Sequence, residues 1–234
     1  MYTEDVMGII DEAVARGQGA LSEYEAKLFL KEREIPVTRE ELVVGESEAV
    51  AAAEKIGFSV VLKANGPDIT HKTERNLVQV GLDSPDEVKR AYKEIIENLG
   101  DDPFDGVLVQ EMIQGERELV VGLVRDPQFG PCVMFGLGGI FTEVLKDTSF
   151  RVAPIEKYDA LQMMDEIKSK AILGPFRGKE AVDRDQLADI LITIGNIGME
   201  YDDVKEIDMN PVIIEGSRPV VVDSLIVLGN GEKE

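Results

Sequence analysis

Val6, Ile9, Ile10, Ala13 and Val14 recur on one face of a 3.6-residue spiral between Thr3, a candidate cap, and Gly17, so the spacing predicts a helix over 4–16. Ser22 and Glu25 form a capping-box pair that opens a second helix, which must end before Ile35-Pro36 because a residue ahead of proline avoids the helical region. A strand at Leu42–Val44, a helix from Ser47 to Ile56 closed by Gly57, and the apolar strand FSVVLKA ending near Ala64 follow. NLVQVGL reads as a further strand. Ser84-Pro85-Asp86-Glu87 carries a cap, a first-turn proline and acids at the positive end of a helix running to Asn98. GVLVQEM (106–112) closes this mixed segment, which forms an open sheet covered by helices. Then the pattern changes to successive strands, RELVVGLVRD, PCVMFGL and FTEVLKD, separated by Asp126-Pro127 and Gly138-Gly139, as in an antiparallel sheet. Helices at 158–168 and 183–200 precede the strands VKEIDM and PVVVDSLIVL and a polar tail.

The change of texture near 110–115 marks a lobe boundary: residues 20–110 form a smaller lobe, and 1–19 with 111–234 a larger one. With 234 residues, the chain is long enough for two such lobes. Its formal charge of -21 repels nucleic acid and anionic lipid, so any phosphate must be met by a local pocket. One cysteine, Cys132, makes no intrachain disulfide, no Cys/His cluster offers a zinc site, and the acidic N-terminus lacks a signal-peptide pattern. No apolar run approaches the roughly 20 residues a membrane helix needs. The expectation is a globular cytoplasmic protein.

Two glycine-rich stretches are decoys. Gly174 and Gly178 stand one residue too close for a phosphate-binding P-loop, and Glu180 replaces its hydroxyl; GLGGIF has Phe141 where a dinucleotide fingerprint needs glycine. Candidate chemistry is therefore dispersed. Lys63, at the end of an apolar strand, is either solvated or aimed at phosphates. VQEMIQGERE (109–118) can pair its backbone with a base edge while Glu111 or Glu118 meets ribose, or its acids are simply solvated. In EIDMNP, Glu206, Asp208 and Asn210 share one face of an extended segment, and Asp223 lies on the neighbouring strand. Mg²⁺ is the natural neutraliser of such like charges, a solvated acidic face being the alternative. His71 stands in a polar loop with Gly66, Pro67, Asp68 and Lys72; it is an ordinary surface histidine or a phosphoryl acceptor.

Taken together, Lys63, GPDITHKTE, LVQEMIQGERELVVG, GLGGIFTEVLKD, RVAP and EIDMNPVII resemble the beta subunits of ADP-forming acetyl-CoA synthetases, over about Ser22 to Ile226. The resemblance implies an α+β ATP-grasp fold, two lobes closing over ATP or ADP. It implies that Lys63 meets phosphates, that Val109, Gln110, Glu111 and Met112 lie along adenine, and that Glu118 lies near ribose. Asp208, Asn210 and Asp223 would hold Mg²⁺. Gly138, Gly139, Glu143 and Arg151 would face the phosphate end. The implied reaction turns acyl-CoA, ADP and phosphate into acid, CoA and ATP, with His71 receiving the phosphoryl group from a CoA-binding alpha subunit in an α2β2 assembly. Rival expectations are a succinyl-CoA synthetase type of beta subunit, a noncatalytic nucleotide-sensing module, and a carboxylate–amine ligase that needs no phosphohistidine.

Overall fold

The computed structural model describes residues 8–66, 69, 72–139, 147–175 and 178–229. Thr3, the loop residues 70 and 71, and most of the expected FTEVLKD strand and of the polar tail lie outside them. The chain divides into two units, one of 22–24 with 38–112 and one of 1–21, 25–37 and 113–234.

In chain order the elements are α1 (Ile9–Ala15), α2 (Glu23–Glu32), β1 (Glu40–Val43), α3 (Glu46–Ile56), β2 (Val60–Asn65), β3 (Val78–Leu82), α4 (Pro85–Leu99), β4 (Gly106–Glu111), β5 (Glu118–Asp126), β6 (Gly130–Leu137), β7 (Thr148–Val152), α5 (Lys157–Glu166), α6 (Arg184–Glu200), β8 (Val204–Glu215), β9 (Arg218–Val221) and β10 (Ser224–Leu228). The smaller unit is an antiparallel sheet of order β1-β4-β2-β3. Helix α4 buries Val88, Ala91, Tyr92, Ile95 and Leu99, spaced at three and four residues so that one stripe meets the sheet. Its Ser84 hydroxyl accepts from the Glu87 N–H, an N-cap worth about 1 kcal/mol. Val60, Leu62, Ala64, Val107 and Val109 from β2 and β4 complete this core.

The larger unit has a sheet of order β10-β8-β5-β6-β7, with β9 also on β8. One face is covered by α5 and α6, whose Met163, Met164, Leu187, Leu191 and Ile194 meet Leu123, Val133, Phe135 and Ile207. Two glycines let α6 lie close to the sheet. A Cβ on Gly198 would stand 2.5 Å from the Leu123 side chain, and one on Gly195 would stand 3.2 Å from Val133. Glycine costs a helix about 1 kcal/mol relative to alanine, which this close approach offsets. Arg117, 4% exposed, donates to the carbonyls of Glu180 and Gly216 at 2.9 and 2.6 Å and so ties the loop after α5 to the β8–β9 turn.

Two expectations are corrected. The second helix was expected in the smaller lobe, but Glu25–Val37 belongs to the larger unit, because Ala26, Phe29, Leu30 and Ile35 are core residues beside Ile10, Ala13 and Leu21. Only its first turn, Ser22–Tyr24, belongs to the smaller unit. The C-terminal strands are also divided differently. β8 runs on through Pro211 to Glu215, and its partner splits instead, into β9 and β10. Pairing with β10 ends at Met209 and pairing with β9 starts at Val212, so Asn210 and Pro211 fall where the ladder is interrupted, the place a residue without an N–H tolerates.

Candidate functional site

On the smaller unit every residue of β2 is buried, and Lys63 is 5% exposed. Its ammonium reaches Glu23 Oε1 at 2.7 Å, and Lys72 Nζ reaches Glu23 Oε2 at 2.6 Å. Glu23, with a side chain 2% exposed, thus bridges two lysines within its own unit. The neighbouring Tyr24 N–H donates to Asn65 Oδ1 at 3.1 Å, which tethers the start of α2 to the end of β2. Sequence reading found Lys63 and missed Glu23, which stood inside a capping segment with nothing to single it out. A solvated Lys63 is excluded by its burial.

The segment Val109 to Met112 lies on β4 and just after it. Val109 and Gln110 are buried; Met112 is exposed. Glu111 was one of two alternatives for ribose, with Glu118, and by resemblance part of the adenine segment; its carboxylate receives the Arg39 backbone N–H and Arg39 Nε, both at 2.7 Å. The Glu111 N–H is taken by Arg39 O and the Met112 N–H by Ser59 O. Those two donors are committed within the sheet and do not serve a base edge.

On the larger unit the pleat decides which candidates meet. Residues directly opposite in antiparallel ladders project to one side. Asp208 stands opposite Gly122, Gly122 opposite Met134, and Met134 opposite Phe150, while Leu225 faces Asp208 from β10. This side is the one the helices leave open, and Val124, Phe150, Val152 and Leu225 are exposed there. A cavity of about 200 Å³ on it is lined by Val120, Val124, Met134, Glu206, Asp208 and Asn210 among others. Gly122 is required beneath Asp208: a Cβ there would approach the Ile207 carbonyl oxygen to 2.8 Å. A glycine inside the apolar run LVVGLV was the available signal.

Burial first, then the charges of Glu206 and Asp223, push the Asp208 carboxyl up from 3.8 to about 6. Asn210 falls in the ladder interruption and Asp223 lies in the connection between β9 and β10, beside it: the Val222 N–H donates to the Pro211 carbonyl at 3.1 Å. Asp208, Asn210 and Asp223 are thus gathered on one strand system. Among the described residues no group of three or more His, Cys, Asp or Glu side chains is arranged to hold a metal ion by itself. Two carboxylates and an amide suit Mg²⁺, which keeps waters and substrate phosphates as its other ligands.

Glu118 opens β5 next to the glycine pair. The Gly138 N–H donates to the Glu118 carbonyl at 2.9 Å, and Gly139, with φ of 68°, lies against the Glu118 carboxylate. Arg151 is not brought there. It stands opposite Val133, which stands opposite Leu123, and so lies on the helix-covered face. Arg151 Nη1 donates to Glu166 Oε2 at 2.9 Å, a carboxylate that Ser149 also reaches at 2.8 Å. His71 and Glu143 lie outside the described residues.

Lys63 thus lies at the end of a buried strand on one α+β unit, and Asp208 and Asn210 lie on the strand β8 of the antiparallel sheet in the other. The model for the ATP-grasp domain matches residues 12–228, and the chain belongs to that family. Acetate–CoA ligase (ADP-forming) II subunit beta of Pyrococcus furiosus is 41% identical over 231 residues, 96% of this chain and 98% of that protein. The dinucleotide-forming acetyl-coenzyme A synthetase 1 of Ca. Korarchaeum cryptofilum, solved with coenzyme A, Ca-AMPCP and HgCl⁺, superposes with a TM-score of 0.92 at 44% identity, covering 96% of this chain and 100% of that one. The same enzyme with coenzyme A and Mg-AMPPCP, its phosphohistidine segment pointing towards the nucleotide binding site, gives 0.85 at 44% identity and the same coverage.

Proposed function

We infer that this chain is the nucleotide-binding beta subunit of an ADP-forming acyl-CoA synthetase, an acid–thiol ligase that passes a phosphoryl group between a partner subunit and ADP through His71. The observation that carries the reading is likeness to such a beta subunit along 98% of that protein's length. The partner is a CoA-binding alpha subunit, the assembly is α2β2, and the compartment is the cytoplasm. Among the described residues no helix is long and apolar enough to cross a membrane.

In the ATP-forming direction an oxygen of the ADP β-phosphate attacks phosphorus on phospho-His71. The N–P bond breaks as the O–P bond forms, and the imidazole leaves neutral. Such transfers need little besides positioning and compensation of charge. Lys63 is assigned to nucleotide phosphates, Glu118 with Gly138 and Gly139 to the ribose and phosphate end, and Met112 to the base. Asp208, Asn210 and Asp223 are assigned to Mg²⁺. The fit rests on their hard oxygen donors and on the repulsion among Glu206, Asp208 and Asp223, which a cation relieves. Mg²⁺ there would supply neutralisation of phosphate oxygens. Arg151 is left out because the pleat turns it to the other face.

The test is mass spectrometry at neutral pH after mixing the chain with Mg-ATP, for wild type and His71→Asn. The expected result is one phosphoryl group on wild type and none on the variant. Wild type that binds ATP but stays unmodified even beside its alpha subunit would refute the carrier role and leave a nucleotide sensor or a carboxylate–amine ligase.

A further inference from the structure

Glu23 places both oxygens of one buried carboxylate to use, Oε1 on Lys63 at 2.7 Å and Oε2 on Lys72 at 2.6 Å. Lys63 sits on β2, whose every residue is buried, and is therefore a fixed point. Lys72 is the residue after His71 and is 17% exposed at its side chain. Glu23 itself stands at the first residue of α2, a turn tethered to the end of β2 by the Tyr24 N–H on Asn65 Oδ1 at 3.1 Å. Charge-assisted bonds of this length to a buried carboxylate are about twice as strong as neutral ones. A protein interior screens them less than surface water does.

We propose that Glu23 is a positioning residue for phosphoryl transfer: it fixes the Lys63 ammonium and, through Lys72, anchors the chain immediately after His71 to the same strand end. This rests on the reading of His71 as phosphoryl carrier and adds a residue to it. The physical consequence is coupling. A nucleotide phosphate that draws on the Lys63 ammonium competes with Glu23 Oε1, and the carboxylate's negative charge then falls more fully on Lys72. Arrival of nucleotide therefore tightens the hold of Glu23 on Lys72. Glutamine keeps one acceptor for Lys63 but offers an amide N–H₂ where Lys72 needs an acceptor, so Glu23→Gln separates the two contacts.

The experiment uses the chain co-purified with its alpha subunit, in wild-type, Glu23→Gln, Lys72→Gln and doubly substituted forms. Two quantities are measured: Mg-ATP affinity by equilibrium dialysis, and the single-turnover rate of His71 phosphorylation. The expected result is a transfer rate lower by roughly tenfold or more in each single variant, with ATP affinity held within about threefold and no further loss in the double variant. A purely structural role would lower ATP affinity and transfer together. Glu23→Gln that transfers within about twofold of wild type, or losses that add in the double variant, would overturn the proposal. If Glu23→Gln does not fold, Lys72→Gln decides alone, and transfer at the wild-type rate overturns the proposal. Wild type that is never phosphorylated overturns the carrier reading and this inference with it, whereas phosphorylated wild type with an unaffected Glu23→Gln overturns this inference alone.

Discussion

Replacing Asp208 by asparagine should stabilise the nucleotide-free protein while removing its response to Mg²⁺. Asp208 carries a carboxyl raised from 3.8 to about 6 by burial and by Glu206 and Asp223. Because the folded state holds its proton more tightly than the unfolded chain does, stability falls as pH rises through that interval. Below about pH 3 both states are protonated and the residue contributes almost nothing; above about pH 7 the full penalty is present. A gap of about two units at 1.36 kcal/mol each sets a ceiling of about 3 kcal/mol, and partial solvation lowers the expected gain to about 1–3 kcal/mol. For a chain of this size that is roughly 2–4 °C in Tm per kcal/mol. Thermal unfolding in EDTA at pH 5 and pH 8 should show a higher Tm for Asp208→Asn at pH 8 and about half that gain at pH 5. Glu97→Gln, at an exposed position on α4, controls for the general relief of a formal charge of -21. Mg²⁺ with ADP should raise the Tm of wild type more than that of the variant, since only a state that binds the pair is stabilised by it. A variant less stable than wild type at pH 8, a gain equal at both pH values, or a gain matched by Glu97→Gln would refute the electrostatic account.

Two further outcomes follow from the geometry. Gly138→Ala places a Cβ 2.6 Å from the Leu119 backbone, so urea unfolding should show a loss of about 1–3 kcal/mol, and an unchanged midpoint would show that the β5–β6 end yields without strain. Arg151→Gln should leave Mg-ATP affinity within about twofold of wild type and cost about 1 kcal/mol or less of stability, since it loses a partly exposed pair with Glu166 and a hydrogen bond to the adjacent Phe150 carbonyl; a tenfold loss of affinity by calorimetry would return Arg151 to the site.

The order of elements was legible because periodicity is a local property. α4 announces itself by Ser84-Pro85 and a stripe from Val88 to Leu99, and α6 by Asp183, which accepts from the Gln186 N–H at 3.0 Å. That Asp208 and Asn210 share a face was legible for the same reason, since alternate residues of an extended segment do so whatever surrounds them. Membership of α2 in the larger unit was not legible, because its apolar stripe says that it packs and not against what. Glu23 was invisible for a related reason: a glutamate in the first helical turn reads as a favourable charge at the dipole. Only a strand forty residues away and a lysine forty-nine away turn it into a bridge.

By itself, then, the sequence carried the order of most strands and helices and the family to which the chain belongs, and it offered candidates for the chemistry of phosphate and Mg²⁺. The tertiary structure alone decided which of those residues meet. The phase of the β7 pleat sends Arg151 to the helical face and Phe150 to the open one, and a one-residue change of register would exchange them. Pairing of β1 with β4 brings Glu111 to Arg39. Such outcomes depend on strands that are distant along the chain, and no local pattern carries their register.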